Sequence, residues 1–283
     1  MSQLTIAVVG AGGKMGMRVS NNLASSEHTV LYSESSPAGR QRTVDAGRTV
    51  TDTATAVVAA DVVILAVPDV ALAAVSGEVV PQLRPGTIVL TLDPAAAYAN
   101  LLFQREGIEY AVAHPCHPSV FLQRRTEAEL NDTFGGVAAP QEVVAALESG
   151  DPGVQAVAEQ VIRQMYAPVV DVHWVTVKQL AYLEPTLVEV VACMVGGLLK
   201  EALHETVHTV GVPEAAARAM LLGHIQVALA NSLKGDNPFS DACLIAMDYG
   251  RDKIISEDWK SIFDDAELDS VLTKMLHLDA IHR

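Results

Sequence analysis

The chain has 283 residues, half of them hydrophobic and 19% charged, which excludes global disorder and accommodates about two domains. Asp plus Glu number 34 against 19 Lys plus Arg, a formal charge of −15. That balance argues against a nucleic-acid-binding or membrane-surface protein and requires any anionic ligand to be met by local positive groups.

The three cysteines, Cys116, Cys193 and Cys243, form no paired framework and no C-x-x-C, which fits a reducing compartment. Met1 leads directly into an apolar strand pattern, with no basic segment or cleavage-site pattern. The longest apolar stretch, Leu187 to Leu199, contains Glu189 and is too short to cross a bilayer. The expectation is a soluble cytoplasmic protein.

Strands are predicted at Thr5–Val9, Thr29–Ser33, Val62–Val67, Thr87–Leu92, Glu109–Ala113 and, more weakly, Gly136–Ala139. Helices are predicted between them at Met15–Ser25, Val70–Leu83, Ala95–Arg105 and Val154–Tyr166. Several strands are apolar on both parities, as when helices cover both faces of a parallel sheet. Beyond Pro168–Val172 strand signals become sparse. One long helix is predicted over Thr186–Val210, with others at Ala215–Leu233, Ser240–Tyr249 and Ala266–Leu276. The expected architecture is α/β: a Rossmann-type doubly wound domain over residues 1–172, then an all-helical domain over 173–283.

Gly10-Ala11-Gly12-Gly13-Lys14-Met15-Gly16 follows a buried-type strand and opens a helix, the context of a dinucleotide-binding turn. Glycines let the backbone approach a pyrophosphate, which the helix N-terminus then binds. The spacing is G-x-x-G-x-x-G, since Met15 stands where a strict G-x-G-x-x-G has its last glycine. Glu34 ends the second strand, where an acid accepts hydrogen bonds from a ribose 2′-hydroxyl and repels a 2′-phosphate. This favours NAD over NADP, although Arg40 and Arg42 could clamp a phosphate. Ala66, Val67 and Pro68 end another strand on the cofactor side of the sheet.

His114-Pro115-Cys116-His117-Pro118 falls at a strand's C-terminal edge. Four readings stand: proton transfer or substrate binding by His114 and His117, metal ligation, a nucleophilic Cys116, or a rigid turn. His204-Glu205-Thr206-Val207-His208 matches the zinc-protease pattern H-E-x-x-H, but no recognised third ligand follows, and no metal ligands are assigned. Lys178 and Glu184 begin the helical part. A lysine there could bind a carboxylate or polarise a carbonyl, and Glu184, in an apolar run before Pro185, could carry a proton.

The Gly10–Gly16 turn, the Asp61–Pro68 strand and the terminal helical domain resemble the 6-phosphogluconate dehydrogenase-like superfamily. In its hydroxyacid dehydrogenases a catalytic lysine lies on the helix after the cofactor domain. Lys178 is the positional match, with Val172 and Trp174 where that motif has glycines. The stretches Gly10–Gly16, Ala113–Phe121, Leu183-Glu184-Pro185, Leu222-Gly223-His224 and Phe239–Ala242, with Trp259, resemble more narrowly the family of D-apionate oxidoisomerases. That resemblance implies NAD-dependent oxidation of a branched sugar acid at its 2-hydroxyl, coupled to a 1,2-shift of a carbon substituent. His117, His114 or Lys178 would serve as base, and Glu184, with a divalent metal if one is used, would assist the shift. A simple β-hydroxyacid or prephenate-type dehydrogenase and a non-catalytic NAD(H)-binding sensor are the alternatives. The resemblance also implies an acidic small-molecule substrate. A homodimer through the helical domain is expected because Thr186–Val210 is apolar over most of its circumference.

Overall fold

The computed structural model describes residues 3–235 and 237–282. Its strands are β1 Thr5–Val9, β2 Thr29–Ser33, β3 Val62–Leu65, β4 Ile88–Thr91, β5 Glu109–Pro115, β6 Gln141–Leu147 and β7 Val169–Val175. They form one sheet in the order β2-β1-β3-β4-β5-β6-β7, parallel throughout except for the antiparallel β5–β6 pair. Helices α1 Lys14–Leu23, α2 Pro37–Asp45, α3 Thr53–Ala59, α4 Asp69–Val79 and α5 Ala95–Tyr98 fill the first four connections, α2 and α3 sharing the second. Helices α6 Glu127–Asn131 and α7 Pro152–Met165 follow, then α8 Val177–Ala181 after the last strand.

Both faces of the sheet are covered. Ile6, Val8, Val62, Ile64 and Leu90 pack on the side of α1 and α7. Their neighbours Ala7, Val9, Val63, Leu65 and Val89 pack on the other side, against residues of α3 and α4. This is why the strand sequences are apolar on both parities. Chain order reverses between β1 and β3, so a crevice opens at their carboxyl ends, where such sheets bind ligands.

Several elements differ from the sequence reading. The weak strand at 136–139 is instead the strand β6, whose Gln141 and Glu142 obscure its alternation. The helix predicted over Ala95–Arg105 ends at Tyr98; Asn100 takes a left-handed φ of 57°, and the chain returns to β5 with Arg105 donating to the carbonyls of Val80, Pro81 and Leu83. Residue 172 falls inside β7. Compactness divides the chain after Pro185, and the residues from Asp269 onward return to the first unit.

The second unit, Thr186–Leu268, is helical. The single helix expected over Thr186–Val210 is a π-helical stretch, Tyr182–Cys193, followed by α9 Met194–His208. Pro185 lies inside that stretch and supplies no backbone N–H, so a regular α-helical ladder cannot run through it. Helices α10 Glu214–Leu229 and α11 Asp241–Ile254 follow, while α12 Asp265–Met275 straddles the division.

The loop after α6 positions part of the crevice. Asp132 is buried, and its carboxylate accepts hydrogen bonds from the backbone N–H groups of Gly135, Val137, Ala138 and Ala139 at 2.8–3.1 Å. Burial pushes this carboxyl upward, but the four N–H bonds outweigh it and hold it below the usual carboxylate range. The loop so closed carries Phe134, whose ring lies under Arg18 and Lys14 at 4.1 and 5.1 Å. Arg18 also donates to the Gly135 carbonyl at 2.6 Å.

Replacing Asp132 with alanine leaves these donors unsatisfied at a cost of about 2–3 kcal/mol. The expected drop in thermal midpoint is roughly 5–10 °C, and an unchanged midpoint would refute this role. Asp132 stabilises fully above its unfolded pKa of about 3.9. That contribution is lost as pH falls through the lower folded value, so acid should narrow the gap between variant and parent.

Candidate active site

The crevice begins with close backbone approach. Gly10 has a φ of +83°, and a Cβ there would lie 2.5 Å from the Ala66 carbonyl oxygen. A Cβ on Gly16 would lie 2.0 Å from the Gly10 carbonyl oxygen, so only glycine lets α1 pack this tightly against the turn. Gly13 is the N-cap of α1 and offers no side-chain acceptor, which leaves first-turn N–H groups for an anion. The residues therefore fit a dinucleotide: the space a Cβ would fill is where its pyrophosphate must approach.

Glu34 closes the far end. Its Oε2 accepts from the Gly12 N–H at 3.0 Å, and its Oε1 accepts from the N–H and hydroxyl of Ser36 at 2.9 Å. Arg42 donates to the Gly12 carbonyl and Arg40 to the Glu34 carbonyl, so both arginines are engaged on backbone beside the acid. A cavity of about 380 Å³ runs from Glu34 to Ala66, Val67 and Pro68. A second, of about 340 Å³, shares Gly13 and Ala66–Pro68 with it, continues past Lys14 and Met15, and ends at Asp93, His114, His117 and Phe134. A more open depression of about 490 Å³ lies at the opposite end of β5, around Arg105 and Glu148, and contains none of these residues.

His114 lies near the end of β5, with Nδ1 3.0 Å from the Leu92 carbonyl oxygen. A carbonyl only accepts, so Nδ1 carries the proton and Nε2 keeps its lone pair in the neutral ring. Burial pushes His114 below the usual histidine range; Asp93 and the Leu92 carbonyl oppose this, and His117 adds to it. Its Nδ1 lies 3.8 Å from Asp93 Oδ2 and its Nε2 4.0 Å from Glu184 Oε1. Glu184 is buried in the first turn of the π-helical stretch. Asp93 follows β4, with Oδ1 accepting from the Ala95 N–H at 2.8 Å.

His117 stands at a φ of 61°, unusual for any residue but glycine. Its Nδ1 lies 2.7 Å from the Phe134 carbonyl oxygen, which again leaves Nε2 as the open nitrogen. The ring lies against Phe134, tilted by 53° with centroids 4.4 Å apart, and meets His114 edge-on at 6.3 Å between centroids.

The structure thus gathers His114, His117 and Glu184, together with Asp93, Asp132 and Phe134, which sequence reasoning missed. Lys178 is exposed on α8 and lines neither cavity. Cys116 is exposed, while desolvation and the Glu142 carboxylate push its thiol up, against a nucleophilic thiolate. His204, Glu205 and His208 are exposed on α9. Among the described residues, no set of three ligating side chains includes them. No helix of the described residues is long and apolar enough to cross a membrane.

Comparison with known proteins agrees with this geometry. Residues 5–99 match the NAD binding domain of 6-phosphogluconate dehydrogenase, and residues 122–276 match the C-terminal part of decarboxylating phosphogluconate dehydrogenase. A D-apionate oxidoisomerase from Pectobacterium atrosepticum is 62% identical over 99% of this chain and 98% of its own. One from Blautia hydrogenotrophica is 42% identical over 99% of each chain. A crystal structure from Cupriavidus necator, described as a semialdehyde dehydrogenase NAD-binding protein in complex with calcium and NAD, is 39% identical. It superposes with a TM-score of 0.92 over 97% of this chain and 100% of that one. The protein is an NAD-dependent oxidoreductase. With its paired cofactor and C-terminal domains of the 6-phosphogluconate dehydrogenase superfamily, the chain belongs to the D-apionate oxidoisomerase family.

Proposed function

We propose that the protein converts D-apionate, or a closely related branched sugar acid, by oxidising its 2-hydroxyl and then moving a carbon substituent to the new carbonyl carbon. The observation that carries this reading is the shared wall of the two cavities: Gly13 and Ala66–Pro68 border both the nucleotide space and the pocket of His114 and His117. NAD, when bound, accepts the hydride from the carbinol carbon. His117 Nε2 takes the hydroxyl proton as that hydride leaves, since its Nδ1–H is held by Phe134. After oxidation the neighbouring tertiary hydroxyl must lose its proton, its carbon must release a substituent with the bonding pair to the ketone carbon, and the resulting alkoxide must be protonated. His117 serves these transfers in turn, while Asp93 and His114 line the same cavity and Glu184 lies 4.0 Å from His114 Nε2. Lys14, at the start of α1, supplies positive charge beside the same pocket for the acid's carboxylate.

Glu34 selects NAD over NADP in this reading, because a 2′-phosphate would meet its buried carboxylate. The helical unit supports a homodimer. Of its described residues only Thr186, Ala217 and Leu268 are buried, whereas Met220, Leu222, Ile245 and Tyr249 are each more than 60% exposed. A helical layer with so little core of its own needs a partner surface, and a second copy brings an identical one.

Incubation with NAD and D-apionate should produce NADH and a rearranged 3-oxo acid identifiable by NMR. Turnover confined to linear hydroxyacids would overturn the oxidoisomerase reading. His117→Gln should lower kcat by about 100-fold or more with NAD affinity unchanged. Glu34→Ala should shift the NAD-to-NADP preference by roughly tenfold toward NADP, and an unshifted ratio would remove Glu34 as the selector. Sedimentation at micromolar concentration should give a species of twice the 30.0 kDa chain, whereas monomer alone would exclude the dimer.

A further inference from the structure

His117 stands at a left-handed φ of 61°, a conformation that a residue with a side chain keeps only where its surroundings fix it. Its imidazole is fixed through Nδ1, 2.7 Å from the carbonyl oxygen of Phe134. That carbonyl belongs to the same peptide unit as the Gly135 N–H, which donates to Asp132 Oδ1 at 2.8 Å. In a planar trans peptide the N–H and the C=O face opposite ways. One peptide unit therefore bridges a carboxylate on one side and an imidazole on the other.

The rest of the loop holds that unit in place. Asp132 Oδ2 accepts from the N–H groups of Val137, Ala138 and Ala139. Arg18, on α1, donates to the Gly135 carbonyl, so the next peptide unit is tied to the helix that opens at the glycine turn. Gly135 has a φ of +81°, and a Cβ there would lie 2.5 Å from the Gln141 side-chain oxygen, so the bridge requires glycine. Burial opposes charge on Asp132, but its four N–H bonds outweigh burial and keep the carboxylate ionised at neutral pH. A carboxylate that accepts from a peptide N–H polarises the peptide and makes its carbonyl a stronger acceptor.

We infer that Asp132 is a positioning residue for His117, acting through the Phe134–Gly135 peptide unit. It holds the imidazole proton on Nδ1 and keeps the Nε2 lone pair free in the cavity that His117 lines. When Nε2 takes up a proton, the ring becomes a cation whose Nδ1–H faces a carbonyl backed by a buried negative charge. In Ser-His-Asp sites a carboxylate does this by accepting from Nδ1–H directly; here one peptide unit stands between the two. Asp132 itself lines neither cavity of the crevice, so it acts only through that unit. That His117 is the base rests on the function proposed above, whereas the hydrogen-bonded chain does not.

The test combines nitrogen-15 NMR of the histidine rings with steady-state kinetics, on the full-length protein with NAD present. In the parent, the His117 signal, identified by its loss in His117→Gln, should show a single tautomer with the proton on Nδ1. Asp132→Asn keeps an oxygen for Val137, Ala138 and Ala139 but turns an amide N–H toward the Gly135 N–H, which breaks the bridge and leaves most of the loop. This variant should show both tautomers and lower kcat by roughly tenfold, less than the loss of His117 itself, at an unchanged KM for NAD. Thr126→Ala is the control. It removes the side-chain cap of α6 without touching the bridge, and should lower the thermal midpoint while tautomer and kcat stay as in the parent. A parent His117 protonated on Nε2 would overturn the inference. So would an Asp132→Asn protein with the parental tautomer and kcat, or an equal loss of kcat in Thr126→Ala. The parent spectrum needs neither a variant fold nor a substrate. Absence of D-apionate turnover would therefore sink the proposed function, while the tautomer still decides the chain from Asp132 to His117.

Discussion

The Leu92 and Phe134 carbonyl oxygens each accept a hydrogen bond from an imidazole Nδ1–H, and much of the pocket's chemistry depends on those two contacts. An imidazole left to solvent exchanges tautomers and rotates. Here the backbone fixes which nitrogen keeps the lone pair and in which direction it faces. The two carbonyls belong to different parts of the fold, one to the end of a central strand and the other to a loop closed by Asp132. His114 therefore inherits the rigidity of the sheet, and His117 that of a carboxylate cage.

The sheet supplies the second constraint. Strands β1 and β3 bring Gly10 and Ala66 together at the crevice, and a methyl group at Gly10 or Gly16 would collide with a carbonyl oxygen. That collision explains why the nucleotide space and the histidine pocket meet along a few small residues. On the proposed function, larger side chains there would separate the hydride acceptor from the carbon that gives it up.

The cofactor half of the site was legible because its signals are local. A buried strand, three glycines and the start of a helix are contiguous, and Glu34 follows at the end of the next strand. The histidine segment was visible as a cluster, but its partners were not. Asp93 precedes a short helix, and one of its oxygens accepts from the Ala95 N–H at the helix start. Its place near His114 and Glu184 is set by the fold: Glu184 lies ninety-one residues later, and no local pattern connects the two. Phe134 acts through its carbonyl, a group every residue has, so its type gave no signal. Lys178 follows the cofactor sheet as the family's lysine does, and its helix turns Leu180 and Ala181 inward and leaves it exposed.

Glu34 carries a consequence for how such an enzyme can change over evolutionary time. The carboxylate at the ribose end of the crevice also ties the glycine turn to the second strand through the Gly12 and Ser36 N–H groups. A substitution that admitted a 2′-phosphate would also loosen the loop that cradles the pyrophosphate. If Glu34 selects the cofactor as proposed, that preference is coupled to the integrity of the turn, and a lineage could exchange one nicotinamide pool for the other only through paired changes, the second restoring what the first released.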